Sequence, residues 1–312
     1  MNTELIDQLK SFFDDVVLPK GYDKNIEKIR EFAIAAKELK HRVIFITSGG
    51  TIVPFEKNMV RFLDNFSGGG RGSSTAEYFL EQGYHVLFFS RKNSLQPFIK
   101  NLMYHESDSF FTFLEHDKNT QHVKVSEHYY DQVSRHYLPW KKYIDSGHLI
   151  RLDFESVGEY LYYLRGISME LSILGKNLIV YAAAAVSDFY IPLSKMAEHK
   201  IQSMSKGLTI SLDPVPKTIG FIVHLWAPKS FITTFKLETD DELLKTKSMQ
   251  SLSNYGHQLV IANLLSNYRD RVIFYSPLLK DPLVILRETN DHQPIEIQIG
   301  KQLIQLHNNF LK

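Results

Sequence analysis

Apolar residues recur at every third or fourth position through "TELIDQLKSFFDD" (3–15) and again through "DKNIEKIREFAIAAKELK" (23–40), the spacing that lines one face of a helix. Pro19 and Gly21 interrupt the pattern, so two helices precede the main body of the chain. From there the period changes. "RVIFITSGGT" (42–51) is a continuous β-branched and aromatic run ending in glycines, as in a buried strand that meets a loop. "SSTAEYFLEQ" (73–82) returns to helical spacing, Gly83 ends it, and "HVLFFSR" (85–91) is the next strand. Such β-loop-α-β units predict a parallel sheet.

Five more strand-like runs follow: "LIRLDFES" (149–156), "NLIVYAAAAVSDF" (177–189), "SFITTFKLE" (230–238), "HQLVIAN" (257–263) and "RVIFYSP" (271–277). Helix-length segments separate most of them, notably 156–174 and 239–254. The pattern predicts an α/β fold with a doubly wound, mainly parallel sheet. Two stretches break the rhythm and are expected as additions to that sheet. Residues 94–140 are aromatic and rich in histidine, and "KIQSMSKGLTISLDPVPK" (200–217) reads as a hairpin turning at Lys206-Gly207. No internal repeat, heptad array or linker divides the chain further.

Composition narrows the function classes. The 312 residues suffice for one large α/β domain or two smaller ones, and 44% hydrophobic with 23% charged residues is the balance of a soluble enzyme. A formal charge of +1 gives no global attraction for nucleic acid or an acidic membrane, so neither is expected as a partner. The lack of cysteine excludes a disulfide framework, a thiol nucleophile and a thiolate metal site, and it fits a reducing cytosol. The longest apolar run, "LIVYAAAAV" (178–186), falls well short of the ~20 residues of a membrane span, and "MNTELIDQLK" has no signal-peptide core. A soluble, cytoplasmic protein is expected. The 13 histidines form no HExxH or short ligand cluster, and His116, His122, His128 and His136 read as surface or packing residues. No metal ligand is assigned.

The densest chemistry lies in "RFLDNFSGGGRG" (61–72). Glycines ahead of a helix let backbone N–H groups approach a phosphate, and the helix N-terminus adds positive potential. Gly70, Gly72 and Thr75 partly imitate a dinucleotide fingerprint, but Thr75 replaces its last glycine or alanine, and the loop lies roughly twenty residues beyond the first strand. The following strand ends in "SRKN" and not in an acid for a ribose, which weakens NAD while Arg91 keeps NADP open. A bland reading, glycines serving turns and helix packing, stands beside the phosphate reading. Arg61, Asn65 and Ser67 supply a cation, an amide and a hydroxyl suited to a carboxylate or phosphate, and Asp64 is either a solvated acid or a cap. "TSGGT" and "AAAAVSDFY" also follow strands, and in open parallel sheets such loops converge at the strands' carboxyl ends. Ala182, Ala183, Ala184 and Ala185 either admit a ligand close to the backbone or make room for a helix. Asp188 is either a ligand or magnesium-associated acceptor or a turn residue.

Taken in order, "TSGGTIVPFEKNMVRFLDNFSGGGRG", "AAAAVSDFYIP", "EHKIQS", "VPK", "APKSFITTFKLETD" and "VIANLL" resemble the eukaryotic phosphopantothenoylcysteine synthetases over roughly residues 42–265. The resemblance implies ligation of 4′-phosphopantothenate to L-cysteine in coenzyme A biosynthesis, with Mg2+ and ATP, CTP being the bacterial alternative. An acyl-adenylate would lead to the amide, AMP and pyrophosphate. It also implies a Rossmann-like core and a homodimer. On this reading residues 1–40 are a helical extension, and 41–312 form the synthetase domain with dimerisation elements and a flap near 194–217. By matching motifs, Gly49, Ser67, Gly69, Gly72, Phe235 and Asn263 would contact nucleotide. Asn65, Ala184, Ala185 and Asp188 would hold phosphopantothenate, with Arg61 reaching it from the neighbouring subunit. Lys200 matches a flap lysine of bacterial relatives, although the local motif is "HKIQS" and not "KIKK". Asn65 and Lys200 are therefore the catalytic candidates; an exposed lysine and a core phenylalanine remain the plain alternatives for Lys200 and Phe235. The competing functions are an NADP-dependent oxidoreductase and a noncatalytic nucleotide-binding regulatory dimer.

Overall fold

Helices α1 (Thr3–Asp14) and α2 (Tyr22–Glu38) form where the helical spacing places them, burying Phe12 and Phe13 from the first and Ile29, Ala33 and Ala36 from the second. The computed structural model describes residues 3–103, 110–202, 207–288 and 293–312. After α2 comes β1 (Val43–Ser48), buried throughout, then a ribbon of β2 (Ile52–Pro54) and β3 (Phe62–Asp64), helix α3 (Gly70–Glu81) and β4 (His85–Arg91). A single turn, α4 (Lys100–Met103), and a small hairpin of β5 (Leu114–His116) and β6 (Val123–Val125) lead into α5 (Tyr130–Asp145). Then follow β7 (Leu149–Phe154), α6 (Val157–Leu171), β8 (Leu178–Ala182), β9 (Phe189–Tyr190), β10 (Asp213–Pro214) and α7 (Ile219–Phe221). The chain closes with β11 (Phe231–Glu238), α8 (Asp241–Tyr255), β12 (Leu259–Leu264), β13 (Arg271–Tyr275), β14 (Leu283–Leu286) and α9 (Glu296–Leu311).

Eight strands form one sheet in the order β14-β13-β12-β11-β8-β1-β4-β7. From β12 to β7 all pairings are parallel. Side chains alternate across the pleat. Val43 and Phe45 of β1 join a core with α1, α2 and α6, while Ile44 and Ile46 face α3 and α9. The sheet is thus covered on both faces, as the doubly wound expectation requires. The chain runs outward from β1 through β4 to β7, then returns to the other side of β1 as β8. That reversal opens a crevice between the carboxyl ends of β1 and β8, where open α/β sheets place their ligands.

Several local expectations need correction. Helix α3 starts at Gly70 and not at Ser73, so Gly70 and Gly72 lie in its first turn and Gly69 just ahead of it. Strand β8 stops at Ala182, and the remaining alanines belong to the loop beyond it. Of the expected 200–217 hairpin, Lys206 lies outside the described residues, and Asp213–Pro214 pairs instead with Phe189–Tyr190. A nearby strand edge supplies the partner that local turn chemistry alone assigned elsewhere. Residues 94–140 hold the β5–β6 hairpin and most of α5. The sheet also ends in two antiparallel strands, β13 and β14, of which the second is too short and too flanked by charge to stand out in sequence.

Candidate active site

At the carboxyl end of β1 the backbone is held by a relay that reaches three loops. The Ala185 N–H donates to Gly49 O at 2.8 Å, the Thr51 N–H to Ala185 O at 3.0 Å, and the Asn65 N–H to Thr51 O at 3.1 Å. Hydroxyls reinforce it: Thr47 Oγ1 accepts from the Ala184 N–H at 3.1 Å, and Thr51 Oγ1 from the Ser187 N–H at 2.9 Å. Gly50 makes this convergence sterically feasible. A Cβ there would lie 1.6 Å from Asn65 O and 3.3 Å from Ser67 N. The relay therefore gathers Gly49, Asn65, Ser67, Ala184 and Ala185 at the switch point. Beneath it, the buried Tyr160 hydroxyl donates to Thr47 Oγ1 at 3.4 Å, and burial, partly offset by that bond, pushes its pKa up to about 12. The phenol stays neutral at physiological pH.

Gly69 and Gly72 shape the start of α3. Gly69 is the N-cap residue at φ +80°, and no side-chain hydrogen bond caps the helix. Ser48 Oγ donates to Gly69 O at 3.1 Å. A Cβ on Gly72 would sit 2.4 Å from Ser48 Oγ, which gives Gly72 a packing role that brings the helix end onto β1. The packing reading of the glycines thus holds at Gly72. Arg91, on which the NADP reading rested, is ion-paired with Asp64 at 2.5 Å; Asp64 is exposed at the end of β3, a solvated acid with a cation partner.

Phe235 and Asn263 lie on the other side of β8, on β11 and β12. Phe235 is half-buried, edge-on to Tyr181 with ring centroids 5.0 Å apart, and the Arg71 guanidinium lies 5.7 Å from its ring centre. Arg71 is tied to the C-terminal region by Nη2 to Tyr268 O at 2.6 Å and Nη1 to Glu296 at 3.1 Å. Asn263 is 7% exposed near the end of β12, beside Leu237 of β11. Asp188 is exposed and ion-paired with Lys217.

Arg61 lies at the far end of the β2–β3 ribbon, beside the segment that carries Lys200. Residues 197–201 lie along residues 56–58, with the Lys57 N–H donating to Ala197 O at 2.9 Å and the Asn58 N–H to Glu198 O at 3.1 Å. Arg61 Nη1 donates to Glu56 Oε1 at 2.9 Å and to Ile201 O at 3.0 Å. Lys200 itself is exposed. Sequence reasoning missed Thr47, Thr51, Glu56, Arg71 and Lys217. The threonines carry a faint signal, hydroxyls flanking "SGG" at the end of an apolar run; an acid in "VPFEK" carries none, because nothing local says it will be buried.

Comparison with known proteins bears on this geometry. Residues 169–290 match the family model described as the DNA/pantothenate metabolism flavoprotein C-terminal domain. The chain is 39% identical to phosphopantothenate–cysteine ligase 1 of Oryza sativa subsp. japonica, over 85% of this chain and 81% of that protein. It is 36% identical to phosphopantothenate–cysteine ligase CAB2 of Saccharomyces cerevisiae, over 97% of this chain and 86% of that one. A solved structure of a Cab2 mutant in complex with phosphopantothenate-cysteine superposes with a TM-score of 0.89 at 36% identity, covering 96% of this chain and 97% of the other.

Proposed function

The chain belongs to the phosphopantothenate–cysteine ligases, and we propose that its switch-point crevice activates 4′-phosphopantothenate with ATP, through an acyl-adenylate, before joining it to L-cysteine. The family forms a carbon–nitrogen bond in coenzyme A biosynthesis. A free carboxylate will not condense with an amine, because oxide would have to leave. In the first step a carboxylate oxygen attacks the α-phosphorus of ATP and pyrophosphate departs; in the second the cysteine amine attacks the acyl carbon, loses a proton, and AMP departs.

One observation carries this reading: the backbone relay that brings Asn65 and Ser67 to the carboxyl end of β1, where Ser48 also holds the start of α3. Backbone N–H groups at Gly69 and Gly72 suit the phosphates. The Asn65 amide donates to the carboxyl or acyl-phosphate oxygen without bringing a repelling charge. Ala184 and Ala185 line the substrate side, Gly49 and Asn263 the nucleotide side, and Phe235 offers a face to the base. Asp188 is a further contact to phosphopantothenate. Lys200 neutralises triphosphate charge during adenylation. Mg2+ accompanying the triphosphate would offset its negative charge.

A homodimer fits the same reading, with Arg61 serving the neighbouring subunit. Around it the ribbon exposes Val60, Phe62, Leu63 and Phe66, the last 90% exposed, an apolar surface suited to a second copy. No helix among the described residues is long and apolar enough to cross a membrane, and a cysteine-free chain needs no oxidising compartment, which supports work in the cytoplasm. The test supplies phosphopantothenate, cysteine and Mg-ATP and follows pyrophosphate, AMP and amide together. Equimolar formation of all three is expected; amide with ADP and phosphate would overturn the adenylate route, and faster turnover with CTP the choice of nucleotide.

A further inference from the structure

Glu56 takes no part in the chemistry above, yet its carboxylate is fully buried and meets donors from two separate segments. Oε2 accepts from the Val60 and Arg61 N–H groups at 3.3 and 3.1 Å. Oε1 accepts from Arg61 Nη1 at 2.9 Å and from the Ile201 N–H at 3.3 Å. All four of these partners are donors, so a carboxylate satisfies them, whereas an amide must turn its own N–H groups toward two of them. Burial by itself would raise the carboxyl pKa, but the bonds from Arg61, Ile201 and Val60 outweigh it and hold the group below its ordinary range.

The consequence falls on Arg61. Its Nη1 is spent on Glu56 and Ile201 O, while Nε and Nη2, on a side chain 39% exposed, have no protein acceptor among the described residues. A guanidinium fixed at one corner keeps its fork for a planar or phosphate anion. The same carboxylate anchors Ile201, the residue after Lys200.

We propose that Glu56 is a positioning residue for the ligation: it locks Arg61 against the root of the 197–201 segment, so that the guanidinium is oriented before phosphopantothenate arrives. The rotamer freedom of Arg61 is then surrendered on folding and not on binding. This rests on the reading of Arg61 as a substrate contact.

Glu56→Gln, Arg61→Gln and the double variant test it. Glu56→Gln should raise the KM for phosphopantothenate at least tenfold while the KM for ATP stays within twofold, a split that mere loss of stability would not produce. Added to Arg61→Gln it should cost nothing further, because Glu56 acts through Arg61. A folded Glu56→Gln enzyme with the wild-type KM, or losses that multiply in the double variant, overturns the proposal. Should Glu56→Gln not fold, amide exchange on the wild-type enzyme decides: the Arg61 and Ile201 amides should both exchange at least a hundredfold slower than in a free chain, and a free-chain rate at Ile201 overturns the lock. Wild-type enzyme that makes no amide product would instead sink the functional reading and leave the exchange result to judge Glu56.

Discussion

Asn65 is tied to the fold through its backbone N–H, its C=O packs closely on Gly50, and among the described residues its side chain makes no hydrogen bond that the fold depends on. Asn65→Ala should therefore fold normally, bind ATP, and lose about 10²–10³ in amide-forming turnover, the loss typical of one oxyanion-type donor; unchanged kcat in the folded variant would remove the assignment. Gly50 acts on the same residue from behind. Gly50→Ala must displace the Asn65 carbonyl that its Cβ would strike, so turnover should fall together with about 1–3 kcal/mol of stability, read by urea unfolding and by steady-state kinetics. Gly83→Ala is the control: its φ of +80° costs about 1 kcal/mol, but nothing lies within 4 Å of the new Cβ, and activity should hold. At this scale the sequence displayed which residue types were chemically apt. It did not say that Gly72 would face Ser48 or that Arg91 would be taken by Asp64, because those partners come from segments some twenty or more residues away.

Elements were more legible than residues where one rule dominated. Helix α6 is the clearest case, since "SVGE" at its start forms a capping box: the Glu159 N–H donates to Ser156 Oγ at 3.2 Å and the Glu159 carboxylate accepts from the Ser156 N–H. Ser156→Ala should cost about 1 kcal/mol in chemical denaturation with kcat untouched; a loss of activity without loss of stability would place Ser156 in the site after all. The buried parallel strands were equally plain as apolar runs. Short ladders were not. Strands β9 and β10 pair over two residues each, and their partnership depends on which edge happens to be near, not on alternation within either segment.

At the scale of the whole molecule, three histidines are folded in as neutral imidazoles. Burial, with His148 and His41 stacked nearby, lowers His85 to about 4; burial lowers His257 to about 4; and burial, opposed by a bond to the Lys176 carbonyl, lowers His307 to about 4. The unfolded chain takes up these protons near pH 6.5, so the histidine contribution should be level above that value and stability should fall as pH drops from about 6.5 to 4, with Glu56, held below its ordinary range, extending the fall at lower pH; each pKa unit of depression corresponds to about 1.4 kcal/mol. Thermal midpoints across that range check the sign; a midpoint that rises on acidification would refute it. Light scattering should likewise find twice the 36.2 kDa of one chain. By itself the sequence determined the order and type of the long elements, the parallel sheet they build, the glycine loop and the family, because hydrophobic period and motif spacing are written within single segments. Only the tertiary structure decided that Thr51 would bridge Ala185 to Asn65, that Glu56 would be buried between two loops, and which glycines serve packing, because burial and hydrogen-bond partnership are supplied by distant parts of the chain.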